Sequence, residues 1–119
     1  MRKEYRLCKS EVICDVLQSN NKLFCKVANV YYKSNNLDKP QIAIIASKKK
    51  FNLAVTRNKI KRQVRSILLE WIIKLNTYNI VIVVKQDWLK FAYIENKNQL
   101  ENLLRRICKK ESKNNEFTN

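Results

Sequence analysis

Apolar and polar positions along the chain fall into segments of two different periods. Between Leu23 and Lys33, the positions Val27, Asn29, Tyr31 and Lys33 alternate with Ala28, Val30 and Tyr32, which predicts a strand. Ser34 to Pro40 holds Asn35-Asn36 and Lys39-Pro40 and reads as a hairpin loop, with Gln41 to Ser47 as the returning strand. Ile42, Ile44 and Ala46 face one way and Ala43, Ile45 and Ser47 the other, and apolar residues on both faces predict an interior strand. Ile80-Val81-Ile82-Val83-Val84 is a continuous β-branched run and predicts a buried strand. The longer period marks helices. Ser10 can cap a short helix to about Gln18, with Ile13, Val16 and Leu17 inward. Ile60, Val64, Ile67, Leu68, Trp71 and Leu75 place a second helix over about Ala54 to Lys74. Leu100, Leu103, Leu104 and Ile107 place a third over about Ile94 to Lys110, followed by a frayed tail, 111–119. Gln86 to Tyr93 is a loop that can hold a short turn. The order helix, strands, helix, strand, helix predicts an α+β fold whose mixed sheet is covered by helices. At 119 residues, with an ordinary apolar fraction of 45%, it is a single domain with one modest core.

Charge changes this picture more than composition does. Lys and Arg number 25 against 10 Asp and Glu, a formal net charge of +15. From Lys39 to Leu69 there are nine Lys or Arg and no acid. Two clusters carry eight of them: Lys48-Lys49-Lys50, and the run Arg57-Asn58-Lys59-Ile60-Lys61-Arg62-Gln63-Val64-Arg65 on the second helix. With Ile60 set at 0° on a helical wheel, the apolar stripe covers roughly −20° to 80°, and Lys61, Arg65, Asn58 and Arg62 fall at roughly 100° to 200°. Arg57 sits in the first turn, where backbone N–H groups are free and the helix dipole is positive. Lys61 and Arg65 are like charges at i, i+4, which costs about 0.2–0.5 kcal/mol with no acidic neighbour to offset it. A face tuned only for solubility would interleave Glu. The pattern calls for an external polyanion, with RNA preferred to DNA because no helix-turn-helix or zinc-finger pattern is present and the helix is flanked by strands.

Several function classes drop out. The chain has no histidine, so it lacks the usual general base and the Ser-His or Cys-His nucleophile pairs. It has no glycine, so every Gly-rich phosphate cradle is missing. Cys8, Cys14, Cys25 and Cys108 show no C-x-x-C spacing and read as reduced thiols, with no metal site. No stretch approaches the roughly 20 apolar residues of a membrane-spanning helix, and the basic N-terminus leads into no sustained apolar segment of a signal peptide. A cytoplasmic protein with no membrane partner is the expectation.

The run Ala54-Val55-Thr56-Arg57-Asn58-Lys59-Ile60-Lys61-Arg62-Gln63-Val64-Arg65 resembles the A-V-x-R-N-x-x-K-R-x-x-R signature of the bacterial ribonuclease P protein component. Ile44-Ile45-Ala46-Ser47-Lys48-Lys49 is similar to that family's strand ending in S-K-K, and Arg6-Leu7 before a short helix is similar to its N-terminal region. The resemblance spans roughly Tyr5 to Lys110. It implies a two-layer α/β sandwich like domain 2 of ribosomal protein S5, of order α-β-β(-β)-α-β-α, with a left-handed βαβ crossover around the basic helix. Such a hand breaks a rule that about 98% of these connections obey.

The resemblance also implies a function. The ribonucleoprotein removes the 5′ leader of precursor tRNA, with chemistry carried by the catalytic RNA and Mg²⁺ held through that RNA, so that no protein residue is catalytic. By position, Arg57, Asn58, Lys61, Arg62 and Arg65 face the catalytic RNA, and Lys48, Lys49, Lys50 and Lys59 extend that face. A cleft between the first helix and the sheet would hold the leader. Ile13 and Leu17 stand in that cleft where the family usually carries aromatic residues, and Asn29, Tyr31 and Lys33 share one strand face. Tyr32 points oppositely. A 1:1 ribonucleoprotein with the catalytic RNA, acting on precursor tRNA, is the implied assembly. Two other readings stay open: a structural RNA-binding protein of ribosomal type, and a protein-only nuclease, which would need clustered metal-binding carboxylates. Phe51 is a core residue or an RNA contact. Trp71 is expected in the core, and Trp88 and Phe91 under the last helix.

Overall fold

The computed structural model describes residues 6–7, 10–19, 21–35, 40–72, 74–75 and 78–118. Its elements are α1 (Ser10–Leu17), β1 (Lys22–Phe24), β2 (Ala28–Ser34), β3 (Gln41–Ile45), α2 (Ala54–Leu68), β4 (Tyr78–Val84), a 3-10 turn (Gln86–Lys90) and α3 (Tyr93–Thr118). The four strands form one mixed sheet of order β1-β2-β4-β3. β1 with β2 and β2 with β4 are antiparallel; β3 with β4 is parallel, so α2 is the crossover between two neighbouring strands.

Strand alternation divides the core in two. Val30, Tyr32, Ile42, Ile80, Ile82 and Val84 turn to the face covered by α2 and α3, where they meet Ile60, Val64, Ile67, Leu68, Leu100, Leu104 and Ile107. Ala43 and Val81 turn to the other face, where Val16 of α1 and Leu7 close a smaller cluster, with Ile13, Leu17, Tyr31, Ile45 and Val83 packed against it. β4 is buried on both faces because its residues 80–84 are all β-branched, and each such side chain contributes about 1.5–3 kcal/mol when fully buried. Phe51 and Trp71 are core residues, 2% and 6% exposed, as is Leu75.

Four expectations are corrected, and one left open is decided. The β-rich stretch Leu23 to Lys33 supplies the optional further strand of the expected order: the Cys25 N–H donates to Ala28 O at 3.0 Å, and this turn makes β1 and β2 a hairpin. No glycine, proline or asparagine marks that turn. β2 and β3 are not hairpin partners, since β4 lies between them. β3 is an edge strand, not an interior one; its two apolar faces are explained by helices on both sides of the sheet. Its outer rim is partly occupied, because Leu7 N–H donates to Ile42 O at 2.9 Å. α2 ends at Leu68 rather than near Lys74, although Trp71 N–H to Leu68 O and Leu75 N–H to Trp71 O continue the turn into the core. α3 runs on to Thr118, beyond the expected end at Lys110, through a stretch with no proline or glycine to break it. Cys8, residues 36–39 of the loop and Asn76 lie outside the described residues.

Candidate nucleic-acid interface

α2 carries the site, and its faces follow from the wheel. Ile60, Val64, Ile67 and Leu68 are buried against the sheet. Asn58, Lys61 and Arg65 then project along one flank, over the rim of β3. There they line a groove of about 360 Å³ with Arg6, Ile13 of α1, and Ile44 and Ile45 of β3. Three cationic side chains and one amide thus meet an apolar floor where α1, the edge strand and the basic helix converge. Arg65 is oriented by its Nε donating to Lys61 O at 3.2 Å. Arg62 is exposed on the outer crest of α2, and Lys59 lies on the opposite flank. The basic residues of the helix therefore point in three directions rather than forming one stripe.

Arg57 differs from its neighbours. It stands at about 60° on the same wheel, inside the apolar stripe. Its side chain is half-buried, and Nη1 donates to Phe51 O at 2.8 Å and to Asn52 O at 3.1 Å. It ties the loop before α2 to the helix. Lys48, Lys49 and Lys50 are exposed in a turn fastened by Phe51 N–H to Ser47 O at 2.9 Å. They lead directly into α2, whose first turn holds no acid and whose cap residue, Leu53, makes no side-chain bond.

The other expected surface lies on the α1 side of the sheet. Asn29, Tyr31 and Lys33 share that face as the alternation requires, and Tyr32 is buried on the opposite one. Lys33 Nζ is paired with Asp15 Oδ2 of α1 at 2.6 Å, with both groups about half exposed. Asn29 Oδ1 is buried without a hydrogen-bond partner. Leu17 packs on this face and Ile13 reaches the α2 groove. Ile13, Leu17 and Tyr31 thus pack against the same small cluster on the α1 side of the sheet, with Asn29 and Lys33 on the same face of β2, and Ile13 lines the basic flank of α2 as well. On the sequence pattern Phe24, like Tyr31 and Tyr32, could be a core or rim residue. It is 53% exposed on β1, and its ring meets that of Tyr31 edge-on at 6.2 Å. Its signal was only a lone aromatic in a β-rich stretch; the hairpin brings it to Tyr31.

Among the described residues, no three His, Cys, Asp or Glu side chains gather into a metal-binding group. No described helix is long and apolar enough to cross a membrane. Cys14 and Cys25 are free thiols, and Cys108 Sγ donates to Lys74 O at 3.5 Å.

Comparison with known proteins follows the same lines. The sequence model of the family described as Ribonuclease P matches residues 1–108. The chain is 35% identical over 107 residues to the ribonuclease P protein component of Ureaplasma parvum, covering 90% of this chain and 95% of that one. It is 33% identical to the same component of Mycoplasma genitalium, covering 90% and 84%. Among solved structures, a mutant of the Staphylococcus aureus RNase P protein, defective in mRNA degradation activity, superposes with a TM-score of 0.81 at 25% identity, over 88% of this chain and 89% of that one. The RNase P protein of Thermotoga maritima shares the fold at a TM-score of 0.74 and 23% identity, over 85% and 96%.

Proposed function

The chain belongs to the ribonuclease P protein family, and from that premise we propose that it binds the catalytic RNA of ribonuclease P through α2 and the 5′ leader of precursor tRNA on the α1 side of the sheet. The observation that carries this reading is the groove in which Asn58, Lys61 and Arg65 stand over the rim of β3 beside Ile13. It joins the cationic helix to the α1 side of the sheet at one edge, so one rigid body can touch both RNAs and hold them in register. Positioning of this kind turns a two-body encounter into a local one. Cationic side chains without acidic neighbours answer phosphates, while the Phe24–Tyr31 pair and the orphaned Asn29 Oδ1 suit an unpaired base.

The protein supplies binding and orientation. Bond cleavage belongs to the RNA, with Mg²⁺ held through that RNA, and the chain acts in the cytoplasm as one copy per RNA. The test incubates precursor tRNA and the cognate catalytic RNA at low Mg²⁺, with and without the protein. Stimulated leader removal is expected, with a larger gain for substrates bearing a leader than for leaderless tRNA in binding. No stimulation, or cleavage by the protein alone, overturns the reading.

A further inference from the structure

On the flank of α2 opposite Asn58, Lys61 and Arg65 lies a second groove, of about 590 Å³, which the proposed function does not use. Its walls are Val55, Thr56 and Lys59 of α2 on one side, and Leu89, Phe91 and Tyr93 from the 3-10 turn and the start of α3 on the other. Large apolar side chains gather here in the open: Val55 is 78% exposed, and Leu53, Leu89, Phe91, Tyr93 and Ile94 are exposed too. Asn96 also lines the groove and is 1% exposed. Its Nδ2 donates to Trp88 O at 2.8 Å and to Phe91 O at 3.5 Å, which turns the amide so that Oδ1 is left buried with no hydrogen bond. A buried acceptor left in this state costs stability until a donor arrives.

We propose that this groove receives one unpaired nucleotide of the catalytic RNA, its base against Phe91 and Tyr93 and its phosphate toward Lys59 and the first turn of α2. The inference rests on the reading of α2 as the catalytic-RNA helix. Charge selects the occupant. No Asp or Glu lines the groove, the nearby Asp87 is paired with Lys90 at 3.3 Å, and the N–H groups of Ala54, Val55 and Thr56 precede the first intrahelical bond, Arg57 N–H to Leu53 O. A second copy would bring its own +15. An apolar cleft with aromatic walls, an anion-favouring rim and a buried acceptor matches a base joined to a phosphate. Because Asn96 Oδ1 needs a donor, the base turns an N–H toward it, from an exocyclic amino group or from the ring itself.

The experiment is chemical probing of the cognate ribonuclease P RNA bound to wild-type protein, to F91A/Y93A and, as a variant of an exposed position, to V55E. Each is checked for folding by circular dichroism. Wild-type protein is expected to protect an unpaired nucleotide that becomes reactive again with both variants. F91A/Y93A should bind the RNA roughly tenfold more weakly or worse, with an unchanged salt slope because no cation is removed. Replacing the protected nucleotide by an abasic one should weaken the wild-type complex and add nothing to the deficit of F91A/Y93A. Protection unchanged at every unpaired nucleotide, with affinity within twofold, overturns the proposal and leaves the groove to a protein occupant. A flattened slope for F91A/Y93A also overturns it. Failure of the wild-type protein to bind the RNA at all would instead sink the reading of α2, and this proposal with it.

Discussion

Arg57 and Arg62 are five positions apart and have different tasks. Arg57 gives Nη1 to two loop carbonyls, while Arg62 stands exposed on the crest of α2. Arg57→Ala should therefore lower the stability of the free protein by about 1–2 kcal/mol, read from urea unfolding, since it removes charged hydrogen bonds to two loop carbonyls, the one to Phe51 O part-buried. Replacing Arg62 and Arg65 together by Ala should leave unfolding nearly unchanged. It should instead reduce the slope of log affinity for the catalytic RNA against log salt by about 2, one for each phosphate that no longer meets a guanidinium. The sequence wheel already separates these residues, because Arg57 falls among the apolar positions and Arg62 far from them. It also sets Lys59 and Lys61 on opposite sides of the apolar stripe, at about −100° and 100°; only the positions of β3 and α3 on either side show that they serve different grooves.

At the scale of elements, the 3-10 turn is what holds α2 and α3 together. Trp88 is 2% exposed, its Nε1 donates to Gln63 Oε1 of α2 at 2.9 Å, and its carbonyl accepts from Asn96 of α3. Trp88→Ala should cost about 3–5 kcal/mol in denaturant unfolding. Trp88→Phe keeps most of the volume and should cost about 1–2 kcal/mol, chiefly through the orphaned Gln63. The three helices and β4 were legible because long periodic or β-branched runs leave little choice. Strand order was not. Hairpin reasoning joins consecutive strands, yet β4, last in sequence, enters between β2 and β3 because its residues 80–84 can be buried on both faces. The turn at Cys25–Ala28 escaped for the opposite reason: it carries none of the residues that announce turns.

The whole molecule is a sheet with a large core on one face, a smaller one on the other, and a net charge of +15 to hold together. Salt should act on it in opposite senses. Self-repulsion in the free protein is screened as ionic strength rises, so its thermal midpoint should climb between about 10 and 200 mM salt, by about 4 °C for each kcal/mol relieved. Over the upper part of that range, affinity for the catalytic RNA should fall by several decades if six or more phosphates are neutralised. A melting point that falls with added salt would show that screened ion pairs, not repulsion, dominate the free state. Lys33–Asp15 and Lys90–Asp87 are both exposed pairs, too weak to reverse the trend.

The division of α2 among the sheet and two grooves also limits how its length can change. A single alanine inserted after Ile60 would turn everything beyond it by about 100°. Lys61 and Arg65 would swing away from β3, and Val64, Ile67 and Leu68 would leave the sheet, although no charge and no apolar side chain had been removed. The fifteen residues of this helix thus behave like the teeth of a key: their number and order matter as much as their chemistry, and insertions or deletions are tolerable only in the connections outside it.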